Sequence, residues 1–410
     1  MSPPALIVSV DIDGQTVDAG TAYFTLRRSA LTTTFQYLPS YLADRRAYPI
    51  DPALDLLEGQ HATAGLPGAF ADCAPDRWGR NLIARRLRAQ ALAEGRAAPQ
   101  ASPVDYLLGV ADLTRQGALR FRLPGTTTFL DPDQEVPKLV ELPRLLRASD
   151  LVDGDPQAEP AAVKALLGAG TGTLGGARPK ASVRDASTLR IAKFPKAGDQ
   201  WDVMRWEKTA LDLAEQAGLR VPRRELITMD GRGVLLVERF DRRFGRRVGY
   251  LSAMTMTHVV DGAQGDYVDL AEAFAEHACD VNSGLTELFR RIAFFIAVNN
   301  TDDHLRNHGF LRARNGWELS PLFDVNPNPD QGVARATSIG GAAQGEEQLR
   351  ALDASAPSFG LDPGRAGEIV AQVIDAVGGW RRAAAANGLS PAQIRRMAPA
   401  FRLGELGSTE

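Results

Sequence analysis

The sequence predicts an α+β protein whose N-terminal half contains most strands and whose C-terminal half is helical. Three observations support this prediction. Short strand-like apolar segments, broken by Asp-Gly and Ala-Gly pairs, fill residues 5–28. Two further strand-like segments meet at Asp230-Gly231, a strong signal for a β-hairpin. After Phe240, apolar residues recur at the three- and four-residue spacing of helices.

The composition is that of a globular protein. At 410 residues the chain exceeds one simple core and suggests two or three domains. A net charge of -3 argues against a protein that binds nucleic acid alone, because such proteins usually carry a basic excess. Cys73 and Cys279 give neither a disulfide framework nor a zinc-ligand spacing. No run approaches the ~18 apolar residues of a membrane span, and no secretory signal is evident, so we expect no membrane and a cytoplasmic location.

The N-terminal elements are predicted as a small α+β unit that ends near Phe70, followed by a helix within residues 73–98. The apolar stripe of this helix consists of Leu82, Ile83, Leu87 and Leu92. We interpret its many arginines as a solvated face. Residues 124–160, rich in Pro, Asp and Glu, are predicted to join two units and to contain one short helix.

The next elements have a clearer order. A glycine-dense segment (168–183) precedes a strand (187–194), a helix that ends at Gly218, and the hairpin around Asp230-Gly231. The C-terminal helices are predicted within residues 267–279, 284–300, 366–388 and 391–402.

Lys193 alternates with Leu189 and Ile191 in the predicted strand and is therefore expected to point inward. An inward ammonium needs a partner, and Glu207 on the following helix can supply a carboxylate. The alternative is a lysine that extends to the surface and an unrelated exposed glutamate. The glycine-dense segment could offer backbone N–H groups to phosphates, but it matches no standard phosphate-binding motif, and a flexible linker is the alternative.

The polar segment at residues 300–310, NTDDHLRNHGF, follows a buried helix. Asp302 and Asn307 are five residues apart, the spacing of the catalytic Asp and the metal-binding Asn of phosphoryl-transfer enzymes. A third carboxylate, Asp324, follows 22 residues after Asp302. Magnesium prefers such oxygen ligands. A zinc site at His304 and His308 is disfavoured because the H-E-x-x-H pattern is missing, and a polar turn explains the aspartates but not the order of the surrounding elements.

This order, with these residues, resembles the HipA family of bacterial serine/threonine protein kinases, the toxins of HipBA-type toxin–antitoxin pairs. The resemblance rests on ADCAPDRWGRNLI, GGARPKA, IAKFP, VERFDR, NTDDHLRNHGF and LFDVNP. It implies a two-lobed protein-kinase-like fold related to phosphoinositide lipid kinases, with an N-terminal β-rich subdomain and an all-helical C-terminal lobe. The implied domains are an N-terminal HipA-type subdomain (1–125), a kinase N-lobe (126–242) and a C-lobe with the catalytic and metal-binding loops (243–410).

The resemblance also implies roles for single residues. Asp302 is implied as the catalytic base, and Asn307 and Asp324 as magnesium ligands. The implied ATP-binding residues are Lys193, Glu207, Glu238, Phe240, His304, Gly175, Gly176, Ala177, Arg178 and Lys180. His304 belongs to a D-x-H-x-x-N pattern shared with phosphoinositide lipid kinases, and Asp303 receives no role. The family autophosphorylates its phosphate loop, which points to Thr173, with Thr171 as the alternative.

The resemblance implies an ATP- and magnesium-dependent kinase that phosphorylates an aminoacyl-tRNA synthetase or another translation protein. It further implies a HipB-like helix-turn-helix antitoxin as partner, with DNA bound only indirectly through that antitoxin. Two alternatives stay open from the sequence. One is a small-molecule phosphotransferase on a related fold, and the other is a mainly regulatory corepressor that acts with the antitoxin.

Overall fold

The computed structural model describes residues 5–28, 30–98, 100–130, 136–154, 160–170 and 178–407. Its strands are β1 (Ala5–Ile12), β2 (Gln15–Arg27), β3 (Ala30–Tyr37), β4 (His61–Ala64), β5 (Leu119–Arg122), β6 (Lys180–Asp185), β7 (Thr188–Lys193), β8 (Arg224–Met229), β9 (Arg232–Glu238), β10 (Arg242–Arg243), β11 (Arg246–Arg247), β12 (Tyr250–Ser252), β13 (Gly265–Asp266), β14 (Gly309–Ala313), β15 (Gly316–Leu319) and β16 (Thr337–Ser338).

The helices are α1 (Pro39–Leu42), α2 (Gly68–Asp72), α3 (Arg77–Ala93), α4 (Pro103–Leu108), α5 (Leu142–Gly154), α6 (Pro160–Gly168), α7 (Val203–Gln216), α8 (Ala253–Met256), α9 (Tyr267–His277), α10 (Val281–Ala297), α11 (Glu347–Ala354), α12 (Pro363–Gly378), α13 (Trp380–Ala386), α14 (Pro391–Met397) and α15 (Arg402–Gly407). Within the described ranges, none of these helices combines the length and the apolar character that a membrane span requires.

The chain forms two compact units. The first contains Met1–Gly198 and Leu236–Leu251, and the second contains Asp199–Leu235 and Ser252–Glu410. The three predicted domains stay a prediction, because a division into two contact units does not define kinase lobes.

The first unit is built on a five-stranded antiparallel sheet with the strand order β4-β3-β2-β1-β5. Its buried face carries alternating apolar residues of β1, such as Val8 and Val10, as expected for a sheet with one face on the core. Phe70 of α2 packs edge-on against Phe35 and Phe121 from two of these strands. The predicted N-terminal strands and helices are confirmed, but this sheet does not end near Phe70, because β5 pairs with β1.

A buried charge cluster follows β9 in the first unit. Arg239 and Arg242 both contact the Asp241 carboxylate, at 2.6 and 2.8 Å, and the Gly117 N–H donates to it at 2.8 Å. Burial alone would raise the pKa of Asp241, but the two guanidinium groups outweigh burial and hold this pKa well below its usual range. The segment after β9 is thereby fixed to residues near β5.

The second unit is dominated by helices around the buried α10. Leu288, Phe289 and Ile292 of α10 are fully buried, and this helix contacts α9, α11 and α12. Trp206 of α7 and Trp380 of α13 pack with Phe401, whose ring stacks on Trp380 at 4.5 Å. The predicted helices within 267–279 and 284–300 are confirmed as α9 and α10.

Three expectations need correction, and a fourth is confirmed. The region 243–410 is not all-helical, because β14 and β15 form an antiparallel hairpin and β13 pairs with β16. The helix predicted within 366–388 is interrupted at Gly379, between α12 and α13. Leu92 does not extend the buried stripe of α3, since it is 79% exposed. The hairpin at Asp230-Gly231 is confirmed, because both residues have positive φ and join β8 to β9.

Candidate active site

The segment NTDDHLRNHGF lies in the second unit and connects α10 to β14, at the end of the buried helix as predicted. Asn299, with a φ of 48°, turns the chain out of the helix. Residues Leu305–Asn307 form a short 3-10 turn before β14 begins. The polar side chains are thus presented on a loop between two buried elements.

The two neighbouring aspartates of this loop occupy opposite environments. Asp302 is exposed, whereas Asp303 is fully buried. His304, directly after them, has an extended backbone with φ -90° and ψ 161°. The two aspartates therefore differ in their access to solvent.

Asn307 is held close to Asp302. Its side-chain Nδ2 donates to the backbone carbonyl oxygen of Asp302 at 3.0 Å, and the residue is 4% exposed. Because Nδ2 is engaged in this way, Oδ1 is the atom of Asn307 that suits a cation. The five-residue spacing therefore corresponds to a direct contact in the structure.

The segment that contains Asp324 is hydrogen-bonded to the start of the same loop. The Asn326 N–H donates to Oδ1 of Asn300 at 3.1 Å, and Asn328 Nδ2 donates to Oγ1 of Thr301 at 2.8 Å. Asp324 lies between the buried Leu322 and Val325. The structure therefore brings together the segments of Asp302, Asn307 and Asp324.

Asp324 has an unusual backbone conformation. Its φ is +59°, a left-handed value that non-glycine residues seldom adopt, although Asp and Asn tolerate it better than most. Such conformations persist where the surrounding structure imposes them, and they are frequent at functional sites. The backbone at Asp324 is consequently held in this conformation by the surrounding structure.

The donor set suits magnesium better than zinc. Asn307 and Asp324 offer oxygen ligands, which magnesium prefers, and it commonly completes its coordination with phosphate oxygens and water. Within the described ranges, no group of three or more His, Cys, Asp or Glu residues could hold a metal by itself. The buried atoms His304 Nδ1, Asn300 Nδ2 and Asn326 Oδ1 have no hydrogen-bond partner among the described residues. Such polar atoms near the two loops suit a polar ligand.

Lys193 is the last residue of β7 in the first unit. It is half-buried, as are Leu189 and Ile191, while Ala192 on the opposite face is fully buried. The inward direction expected for Lys193 stays a prediction. Glu207 on α7 is 2% exposed, and its pairing with Lys193 stays a prediction.

Lys180 has a more definite position. Its Nζ lies 2.7 Å from Oδ2 of Asp76, and both side chains are almost fully buried. Asp76 also caps α3 by accepting from the Gly79 N–H. This buried ion pair links β6 to α3. It also engages the ammonium group of Lys180, for which the resemblance implies a contact with ATP.

The other predicted ATP residues are only partly visible. Gly175, Gly176, Ala177 and the candidate phosphorylation sites Thr173 and Thr171 lie outside the described residues. Arg178, directly after them, is half-buried.

Glu238 ends β9, and the Arg239 N–H donates to the Leu189 carbonyl oxygen at 3.0 Å. The Phe240 ring lies 6.4 Å from that of Tyr250. A role of this backbone in holding adenine stays a prediction.

Sequence reasoning missed the residues that surround Asp303. Tyr267, His308 and Arg335 are all buried beside it. Only His308 was near enough in sequence to be considered, and its position gave no signal of a hydrogen bond.

Two known family profiles match this chain. The sequence profile of the HipA N-terminal domain matches residues 17–107, and that of the HipA-like C-terminal domain matches residues 172–380. No curated protein sequence matches the chain significantly.

Among solved structures, HipA from Shewanella oneidensis MR-1, in a complex with HipB and operator DNA, has a similar fold. The TM-score is 0.69 at 16% identity, over 98% of this chain and 96% of that chain. The Helicobacter pylori proinflammatory kinase CtkA reaches a TM-score of only 0.38 at 15% identity, over 56% of this chain and 90% of that one, too low to support an argument. The C-terminal profile alone spans more than half of the chain, so the chain belongs to the HipA family.

Proposed function

We propose that this protein is an ATP- and magnesium-dependent serine/threonine protein kinase, the toxin of a type II toxin–antitoxin pair. The observation that carries the proposal is the exposed Asp302, whose backbone carbonyl is bonded to Asn307 and whose loop is hydrogen-bonded to the segment of Asp324. A base, a metal-binding amide and a metal-binding carboxylate in this order are the parts that phosphoryl transfer requires.

In the proposed reaction, the Asp302 carboxylate accepts a hydrogen bond from the hydroxyl group of a serine or threonine and aligns its oxygen with the γ-phosphorus. Asn307 and Asp324 would hold magnesium, which would supply positive charge to the phosphates of ATP. Lys193, paired with Glu207, stabilises the phosphates through its ammonium group. Because the protein makes no covalent bond in this reaction, its contribution is positioning and charge stabilisation.

We further propose that an aminoacyl-tRNA synthetase or another translation protein is the substrate, and that the protein phosphorylates its own phosphate loop at Thr173 or Thr171. Phosphorylation adds about -1.5 to -2 charges at neutral pH. This charge would repel the phosphates of ATP and reduce activity.

The proposal is tested by Asp302→Asn. We expect transfer of labelled phosphate from ATP to fall about 10²- to 10⁴-fold, because a positioned base contributes a factor of this size. Unfolding by urea should not change, since Asp302 is exposed. The matched control is Asp353→Asn, an exposed aspartate at the end of α11. Wild-type rates in Asp302→Asn would show the assignment to be wrong.

The small-molecule phosphotransferase predicts a different result. An enzyme of that class would show no autophosphorylation after incubation with magnesium and ATP. Intact-mass measurements of the wild type and of Thr173→Ala separate the two functions. An added phosphate in the wild type that is lost in the variant supports the protein kinase.

A HipB-like antitoxin partner is supported by the fold that this chain shares with HipA of a HipA–HipB–operator complex. We propose that such a helix-turn-helix protein binds this chain and carries it to DNA. Co-purification with the product of an adjacent short reading frame tests the partnership. Tight, salt-sensitive DNA binding by the isolated chain would contradict an indirect contact.

A further inference from the structure

Asp303 is a fully buried carboxylate directly beside the proposed catalytic aspartate. Its Oδ1 accepts from His308 Nε2 at 2.9 Å, and its Oδ2 accepts from the Tyr267 hydroxyl. Arg335 Nη1 lies 3.7 Å from Oδ2, and all three neighbours are buried. Burying a carboxylate is costly unless it is paired and hydrogen-bonded, and here both oxygens have partners.

The partners of Asp303 come from three separate elements. Tyr267 begins α9, His308 precedes β14, and Arg335 lies just before β16. The rings of Tyr267 and His308 meet edge-on at 5.3 Å, so the two partners also pack against each other. Burial lowers the pKa of Arg335, and the charge of Asp303 opposes that shift. The Asp303 side chain thus joins its loop to the start of α9 and to the segment before β16.

Every backbone carbonyl from Asn300 to Asp303 accepts a hydrogen bond. The four donors, in chain order of the carbonyls, are Arg335 Nη1 (2.7 Å), the Ala336 N–H (3.0 Å), Asn307 Nδ2 (3.0 Å) and Thr337 Oγ1 (2.6 Å). Three of these donors belong to residues 335–337, the segment that also approaches Asp303. The loop is therefore anchored by its backbone and by one inward side chain.

This anchoring determines where Asp302 points. Asp302 and Asp303 are joined by one peptide bond, and the carbonyl oxygens of both accept hydrogen bonds. Asp303 is held inward by Tyr267 and His308, whereas Asp302 is exposed. A rotation of the loop would move the Asp302 carboxylate, and a misplacement of ~1 Å can lower a rate by about 10²-fold.

We infer that Asp303, held by Tyr267 and His308, is a positioning residue that aims the Asp302 carboxylate at the acceptor hydroxyl. This inference rests on the proposed kinase function. It assigns to Asp303 and His308 a role in the rate of phosphoryl transfer, through the orientation of a neighbour and without contact with substrate.

The decisive experiment compares Tyr267→Phe with Tyr37→Phe. Tyr37 is a matched control, since it is also buried and its hydroxyl donates to the Leu54 carbonyl at 2.9 Å, but it lies in the first unit. Both variants should lower Tm by a similar few degrees. Only Tyr267→Phe should lower the rate of phosphate transfer from labelled ATP at saturating nucleotide, by about 10-fold or more. The Kd for a fluorescent ATP analogue should stay unchanged.

A second pair of variants tests rescue. His308→Gln keeps a side-chain N–H that can donate to Asp303 and should retain transfer within a few-fold. His308→Leu removes the donor and should lose transfer to the same extent as Tyr267→Phe. All these variants keep Asp303 itself, so the test does not require a folded protein without the buried carboxylate.

The outcomes separate the two proposals. If the wild type transfers phosphate and Tyr267→Phe and His308→Leu do so at the wild-type rate per folded molecule, the positioning role is wrong and the kinase function stands. If the wild type transfers no phosphate to itself or to casein, the kinase function fails, and the positioning role fails with it.

Discussion

The β6–β7 hairpin of the first unit and the loop after α10 in the second unit each place two residues of like charge next to each other. Lys180 and Lys193 are opposite each other across the two strands, and Asp302 and Asp303 are consecutive. In both places one member is buried in a fixed polar contact, Lys180 with Asp76 and Asp303 with Tyr267 and His308. The other member of each pair is more accessible: Lys193 is half-buried, and Asp302 is exposed.

The difference within each pair shows how charged residues divide between two tasks. A buried charge with a fixed partner stabilises the fold around it, because removal of either partner leaves an uncompensated charge. A more accessible charge next to it can serve a ligand. The first task is measured by protein stability and the second by activity. Variants of Lys180 and Lys193 should therefore separate the two tasks.

The largest expected effect is on stability, in Lys180→Met. The variant leaves the Asp76 carboxylate buried without its ion-pair partner, so we expect a loss of about 3–5 kcal/mol in the free energy of unfolding. Urea unfolding monitored by circular dichroism measures it. Asp76→Asn in the same chain keeps the cap of α3 and should restore much of the loss. Normal stability with lost ATP binding would instead place Lys180 at the phosphates.

Lys193→Met should show the opposite behaviour. We expect phosphate transfer to fall about 10²- to 10³-fold, as for the removal of one group that stabilises transition-state charge. The midpoint of urea unfolding should change little, because Lys193 is only half-buried. Lys196→Met is the matched control, since its side chain is 46% exposed and contacts Asp153 at 3.5 Å. Equal rates of phosphate transfer in Lys193→Met and Lys196→Met would show that Lys193 does not act at the phosphates. The contrast between Lys180 and Lys193 would then be lost.

The smallest expected effect is on stability, at turn positions that share a left-handed backbone but contain different residues. Asp13, Asp230 and Phe244 each precede a glycine in a turn, with φ values of 53°, 49° and 51°. Asp and Asn tolerate this backbone, whereas bulky side chains do not, and the Phe244 side chain is fully exposed. Phe244→Asn should therefore raise the free energy of unfolding by about 1 kcal/mol, measured in urea. Phe244→Val should lower it, and a gain with Val would contradict the argument.

Local signals in the sequence were sufficient for most elements near the site. Periodicity located α10, and the Asp-Gly pair located the turn between β8 and β9, since both depend on neighbouring residues. The interruption at Gly379 was not predicted because the apolar period continues across it, while the burial of Trp380 against Phe401 is decided by tertiary packing. The strands β13 and β16 have two residues each and exist through their mutual pairing, which leaves no local pattern.

In the candidate site too, a contact within one loop was predicted, whereas contacts between distant elements were not. The spacing of Asp302 and Asn307 identified a real contact because both residues belong to one short loop. The partners of Asp303 and Lys180 could not be predicted, since Tyr267 and Asp76 come from distant elements. The direction of Lys193 stays a prediction, since alternation along a strand defines two faces but not which one meets the core.

The left-handed backbone of Asp324 limits how this position can vary. The residue must supply a carboxylate in the proposed reaction, and it must also accept a φ of +59°. Glycine accepts the backbone but has no oxygen to offer, and glutamate has the oxygen but fits the backbone poorly. Asparagine satisfies the backbone but lacks the charge. Few single substitutions can therefore be neutral at Asp324, so related sequences that keep the activity should show almost no variation there.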